Sequence, residues 1–166
     1  MVLLLAVAAC GQTDDWTSHT SERFGFSLEV PPDWRYTPAT EDWPQGVYPA
    51  GGSAYVDQWA PPGSFPVIDI VTQKLPEDTT LEEFLVSIDE ETASFCTVES
   101  TEQIVVDGST GRLQRQTCGY NAYEVAVTDG DQVFLLYWIG GEVQDRSVFE
   151  DVLSTFRFAP GEGSAG

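Results

Sequence analysis

The sequence predicts an α+β domain built mostly of short strands. Three observations carry this reading: apolar residues alternate with polar ones in several segments, two segments repeat apolar residues at helical spacing, and strong turn signals join successive apolar runs. The 166 residues suit one compact domain. A disordered chain is excluded, because 5 Trp, 9 Phe and 6 Tyr supply ample ring area for a core.

Phe24, Phe26, Leu28 and Val30 alternate with Gly25, Ser27 and Glu29, the period of a half-buried strand, and Pro31-Pro32-Asp33 then turns the chain into Trp34-Arg35-Tyr36. Residues 37–66 are rich in Pro, Gly and aromatics and are expected to hold one strand, about Ala54 to Trp59, between two long loops. Val67 to Leu75 reads as a strand with Ile68 and Ile70 on one face. A helix is predicted from Leu81 to Ala93, since Leu81, Phe84, Leu85 and Ile88 form one apolar stripe and Thr80 with Glu83 has capping-box spacing.

A hairpin follows, with Gln103 to Val106 leading into a turn at residues 107–111 and Arg112 to Thr117 leading out. Ala122 to Thr128 is the next strand, and Asp129-Gly130-Asp131 turns the chain into Gln132 to Ile139. That last run is apolar on both faces, so it belongs in the middle of a sheet covered on each side. A second helix is expected from Ser147 to Ser154, with Val148, Phe149, Val152 and Leu153 inward and Ser147 with Glu150 at capping-box spacing. Phe156 to Phe158 closes as a short strand, and residues 160–166 form a loose tail.

The N-terminus speaks to location. The apolar run Val2 to Ala9 is far shorter than the roughly 20 residues that span a bilayer. It matches the end of a signal-peptide hydrophobic region, with small residues before the cut, although no Lys or Arg precedes it. Val7-Ala8-Ala9-Cys10 resembles the lipobox of bacterial lipoproteins, in which the cysteine is acylated and becomes the first residue of the mature chain. Residues 1–9 are therefore expected to be a signal-peptide remnant, residues 10–20 a lipidated cysteine and polar tether, and residues 21–159 the domain. Assigning Cys10 to lipid leaves Cys96 and Cys118, which flank the predicted hairpin and make a disulfide plausible in an oxidising compartment. Zinc fits less well, because His19 is the only imidazole and falls in the predicted tether.

The charge excludes some partners. With 27 acidic residues against 7 basic ones, the net charge of −20 repels phosphates, and no basic patch is visible, so nucleic acid is not expected. The same surface suits a salt-rich medium that screens its self-repulsion.

The order of elements resembles a known family. Arg23-Phe24-Gly25-Phe26-Ser27 running into Pro31-Pro32-Asp33-Trp34, the helix Leu81-Glu82-Glu83-Phe84, the turn Val105-Val106-Asp107-Gly108 and the closing Phe149 through Phe158 look like the PsbP-like fold over about residues 20 to 159. That family includes the extrinsic PsbP subunit of photosystem II, a nuclear-transport factor that binds a small GTPase, and many bacterial lipoproteins of unassigned role. The resemblance implies a central antiparallel sheet flanked by helices, an α/β/α sandwich, and a binding or assembly role without catalysis. It carries over no site residue.

The search for chemistry excludes more than it finds. With His19 assigned to the tether, no Ser-His-Asp or Cys-His arrangement can assemble inside the domain, and no Walker loop, HExxH or GxSxG occurs. Glu82-Glu83, Asp89-Glu90-Glu91, Glu41-Asp42 and Glu150-Asp151 read as solvated faces, and Asp129-Gly130-Asp131 as a turn rather than a calcium loop. Asp69 stands among Val67, Ile68, Ile70 and Val71, which points to an exposed or edge face at that position. The aromatic residues Trp43, Tyr48, Tyr55, Trp59 and Phe65 lie in Pro- and Gly-rich loops and are candidate partner contacts, with a lid on the core as the plainer reading.

These readings combine into a lipid-anchored extracytoplasmic domain that binds a protein or cell-envelope component, with no catalytic residue, cofactor or metal expected. The alternative is a carboxylate-dependent hydrolase, which would need two inward acids about 5 to 10 Å apart in a cleft.

Overall fold

The computed structural model describes residues 16–43, 53–63, 65–140 and 146–159. The signal remnant, Cys10, Tyr48 and the tail at 160–166 lie outside the described residues.

The longest apolar runs form the centre. Strands β5 (Val67–Lys74), β8 (Asn121–Asp129) and β9 (Gln132–Ile139) pair antiparallel in the order β5-β9-β8. Every residue from Val133 to Trp138 is buried, so β9 is covered on both faces, as its sequence requires. Outward from β5 come β4 (Asp57–Ala60) and β3 (Arg35–Thr37), and outward from β8 come β7 (Ser109–Thr117) and β6 (Thr97–Val106), which completes a seven-stranded antiparallel sheet.

The two faces are covered differently. Helix α1 (Leu81–Thr92) sets Phe84, Leu85 and Ile88 against Val71, Ala126, Val133 and Leu135 on one face. It starts on the predicted capping box, with Thr80 Oγ1 accepting from the Glu83 N–H at 3.2 Å and Glu83 Oε2 accepting from the Thr80 N–H at 2.9 Å. On the other face, helix α2 (Arg146–Thr155) brings Phe149, Val152 and Leu153 onto Val125, Phe134 and Trp138. It shares that layer with a second sheet in the order β1-β2-β10, made of β1 (Thr17–Ser21), β2 (Phe26–Val30) and β10 (Arg157–Phe158). Phe26 stacks on Phe156 there and meets Phe134 edge-on.

The small sheet corrects two expectations. The protein is more β-rich than a sheet flanked by helices alone, and residues 17–20 belong to a strand rather than to a tether. β1 was hidden because its inward positions, His19 and Ser21, are polar and leave no apolar alternation to read. Gly25, at φ 70°, makes the turn into β2.

Smaller differences have local causes. Ser53–Tyr55 is a turn of 3₁₀ helix, so the strand starts at Asp57 rather than Ala54. β6 begins at Thr97 rather than Gln103, because an edge strand exposed on both faces shows no hydrophobic period. The hairpin turn is only Asp107-Gly108, at φ 47° and 83°, a type I′ pair; Gly111 lies inside β7, where the Ala126 carbonyl leaves no room for a Cβ. α2 starts at Arg146, so Ser147 stands in its first turn and the expected box with Glu150 is replaced by an Arg146–Glu150 ion pair at 2.7 Å.

Cys96 and Cys118 flank the registered pair Thr97 and Thr117 and are joined in a disulfide. It closes a loop with a sequence separation of 22, worth about 3 kcal/mol by chain entropy. Cys118→Ala should therefore lower the melting temperature of the oxidised protein in thermal unfolding, and an unchanged transition would contradict that contribution.

Candidate functional site: a polar seam beneath helix α1

The strand register places one residue from each strand of the large sheet in a single transverse row. Thr37, Gln58, Asp69, Tyr137, Glu124, Gln114 and Thr101 stand opposite one another in sequence from β3 to β6. Their parity puts them on the α1 face, since Tyr137 packs with the helix while the neighbouring row of Trp59, Ile68, Trp138 and Tyr123 lies in the opposite core. A polar row through an otherwise apolar sheet demands partners for every buried group.

Glu124 is the most deeply set, at 1% exposure. Arg112 donates to Glu124 Oε1 at 2.9 Å and grips Asp89 of α1 with two bonds at 2.7 and 2.8 Å. One guanidinium thereby joins the helix to the sheet through two carboxylates. Gln116 donates to Gln114 at 2.8 Å and to Glu124 at 3.4 Å, and Tyr137 of β9 stands opposite Glu124 on its other side. Burial pushes the Glu124 carboxyl above the usual carboxylate range, and the Arg112 charge pulls it part of the way back.

Asp69 corrects the expectation of an exposed or edge face. It sits on an inner strand, half-buried, and accepts a bond from Gln58 Nε2 at 2.8 Å. Burial raises its carboxyl, and the Gln58 bond opposes the shift. Asp69 and Glu124 flank Tyr137, two strand spacings apart, which is about 10 Å between backbones. They do not form an open acid pair, because the Glu124 oxygens are held by Arg112 and Gln116 inside the protein, at 1% exposure. The seam reaches the surface where α1 approaches β6, in a groove of about 450 Å³ bordered by Glu82, Asp89, Thr101, Gln103, Arg112 and Gln114.

A second polar knot ties the small sheet to the large one. The buried Asp57 accepts from Ser21 Oγ at 2.8 Å, the Tyr36 hydroxyl at 2.8 Å and the Ala39 N–H at 3.0 Å. Burial and the neighbouring Asp57 charge raise the Tyr36 hydroxyl well above its usual value. His19 packs against Tyr36 and Trp59, with ring centres 5.3 and 5.9 Å away, and its partial burial lowers its pKa. The imidazole is thus part of the domain, contrary to its expected place in a tether. The Ser21 hydroxyl goes directly to Asp57 and not to His19, so these residues do not make a nucleophilic relay.

Among the described residues the expected aromatic patch does not assemble. Trp59 is 1% exposed in the core on the α2 side, while Trp43 is 6% exposed in the cluster beneath α1, on the opposite face, where Tyr55 packs at its margin. Phe65 is exposed and lies against Gly140. Trp43 and Trp59 are core lids, the plainer of the two readings. Sequence reasoning missed Glu124, Arg112 and Asp57, whose partners come from strands and a helix distant in the chain. Among the described residues, no group of three or more His, Cys, Asp or Glu is arranged to hold a metal ion.

With this geometry in place, comparison with solved structures decides the fold. The chain superposes on the solution structure of cyanobacterial PsbP (CyanoP) from Synechocystis sp. PCC 6803 with a TM-score of 0.62 at 14% identity, covering 92% of this chain and 98% of that one. The fold is PsbP-like. A protein of unknown function, PA94, from Pseudomonas aeruginosa matches with a TM-score of 0.51 at 12% identity over 87% of this chain and 98% of its own. A crystal structure from Bacteroides thetaiotaomicron VPI-5482 matches with a TM-score of 0.50 at 13% identity over 89% of this chain and 50% of its own. No family model and no curated protein matches the chain. At these identities the PsbP-like architecture is what is shared.

Arg112→Met should remove the one cation that, among the described residues, is bonded to Glu124, and destabilise the protein at neutral pH by about 3 to 5 kcal/mol, the usual cost of leaving a buried charge unpaired. The folded-state pKa of Glu124 is raised, so the native protein takes up that proton more readily than the unfolded chain, and stability lost through this group returns as pH falls toward the unfolded value. Denaturant unfolding should show the gap between variant and wild type narrowing on acidification. A gap that stays constant or widens would contradict the assignment.

Proposed function

We propose that this protein is an extracytoplasmic lipoprotein, acylated at Cys10, whose PsbP-like domain works as a binding or envelope-assembly module without catalysis. The supporting observation is that the buried acids are committed to the fold. Asp57 accepts three bonds, Glu124 is enclosed by Arg112, Gln116 and Tyr137, and Asp69 accepts from Gln58. A carboxylate hydrolase needs two acids presented to one substrate, and Asp69 would be its strongest candidate. Binding chemistry asks only for a defined surface on a rigid support.

The anchor and the fold are compatible in length. β1 starts at Thr17, so six residues separate it from Cys10, with a reach of at most about 20 Å. An acylated chain would hold the domain close to the membrane surface. Among the described residues no helix is long and apolar enough to cross a membrane.

The test uses the chain expressed with a complete export signal. Wild type should enter the membrane fraction carrying fatty-acid label, Cys10→Ser should lose both, and photo-crosslinking in intact envelopes should trap a defined adduct. An unlabelled soluble wild type would overturn the anchor. Turnover of any substrate that disappears in Asp69→Asn would overturn the non-catalytic reading.

A further inference from the structure

We propose that strand β6 receives an extended, cationic segment of a partner protein as an added strand, next to the acidic groove beneath α1. This inference deepens the binding-module reading and rests on it.

β6 is the longest strand of the sheet and one of its two edges, and among the described residues it pairs only with β7. The other edge, β3, has three residues. Long free edges invite strand addition, and proteins ordinarily blunt them with charged side chains, Lys above all, with Pro or with bulges. β6 carries no Lys or Pro; of its two charges Glu99 is paired with Arg115 and Glu102 admits only a cationic neighbour, and its one irregularity, between Val98 and Ser100, leaves the run from Ser100 to Val106 in unbroken register with β7.

The turn tells which backbone groups are free. A two-residue type I′ loop at Asp107-Gly108 is closed by a hydrogen-bonded pair, Val106 with Ser109. Alternation then directs the N–H and C=O groups of Val105, Gln103 and Thr101 away from β7. Those residues are themselves exposed, Val105 at 65%. Their side chains share the α1 face with Gln114 and Arg112, at the border of the groove.

The chemistry of the occupant follows from charge. Alternate side chains of an added strand would stand over the groove, facing Glu82 and Asp89, and the others would run beside Glu102, which pairs with Leu113 on the opposite face. Arg112 is the cation of the groove, and both of its terminal nitrogens are already bonded to Asp89 and Glu124. Lys or Arg side chains on the incoming segment would be complementary, within a protein of net charge −20. A second copy of this chain is disfavoured by the same carboxylates, because it would bring an equally acidic edge against Glu82, Asp89 and Glu102.

The experiment titrates the mature chain with a synthetic peptide of alternating Lys and Thr, and in parallel with the same peptide N-methylated at alternate backbone amides. The expected result is amide-resonance shifts concentrated at Thr101, Gln103 and Val105. Affinity should fall at least tenfold for the N-methylated peptide, for Gln103→Pro and for Glu82→Lys. The melting temperature of Gln103→Pro should stay unchanged, because that N–H is outside the β6–β7 ladder. Absence of peptide binding, equal binding of the N-methylated peptide, shifts centred elsewhere, or β6-dependent dimerisation without peptide would each overturn the proposal. The N-methylated peptide needs no altered protein, so the test stands even if a variant fails to fold. An envelope adduct that persists in Gln103→Pro would remove β6 as the site and leave the binding-module reading standing.

Discussion

The burial of β9 on both faces is the constraint on which the rest of the structure depends. A strand reading Val133-Phe134-Leu135-Leu136-Tyr137-Trp138 has no polar face to show to water, so it must be flanked by strands and covered above and below. β5 and β8 supply the flanks over eight registered pairs each. α1 covers Val133, Leu135 and Tyr137, while the small sheet and α2 cover Phe134, Leu136 and Trp138. The remaining strands extend this centre toward two edges, one short and one long.

Cooperation between apolar packing and a small set of charges fixes how α1 sits. Its apolar stripe alone would tolerate sliding along the sheet, whereas the Arg112 fork meets Asp89 at one place on the helix and Glu124 at one place on β8. The ion triad is costly to bury and costlier still to break, which suits a device that specifies position rather than one that adds net stability. Asp57 does the corresponding work for the small sheet by tying Ser21, Tyr36 and the Ala39 backbone to the start of β4. Both knots consume carboxylates.

How far the sequence could be read follows the same physics. β9, β5 and α1 were readable because their apolar periods are local, and α1 also announced its start through Thr80 and Glu83. β1 was not, since His19 and Ser21 fill the inward positions that a periodicity test expects to be apolar. The seam was half visible. Asp69 stood out as a polar residue in an apolar run, yet its resolution depended on Gln58, and the partnership of Glu124 with Arg112 and Asp89 spans up to 35 positions along the chain and three different elements. Nothing in local spacing encodes the order β5-β9-β8-β7 that aligns those side chains in one row. Trp43 and Trp59 failed as a patch for the same reason, because sequence composition grouped them in one Pro- and Gly-rich stretch whereas the fold sets them on opposite faces of the sheet, Trp59 within β4.

Native-state amide hydrogen exchange tests this account most directly, since it reads the hierarchy of burial strand by strand. The amides of Phe134 to Trp138 should exchange only through global unfolding, with an opening free energy equal to that from denaturant, while those of Thr101, Gln103 and Val105 should exchange with little protection. Exchange of the β9 amides through a smaller opening, with the rest of the sheet still protected, would contradict the central place given to that strand.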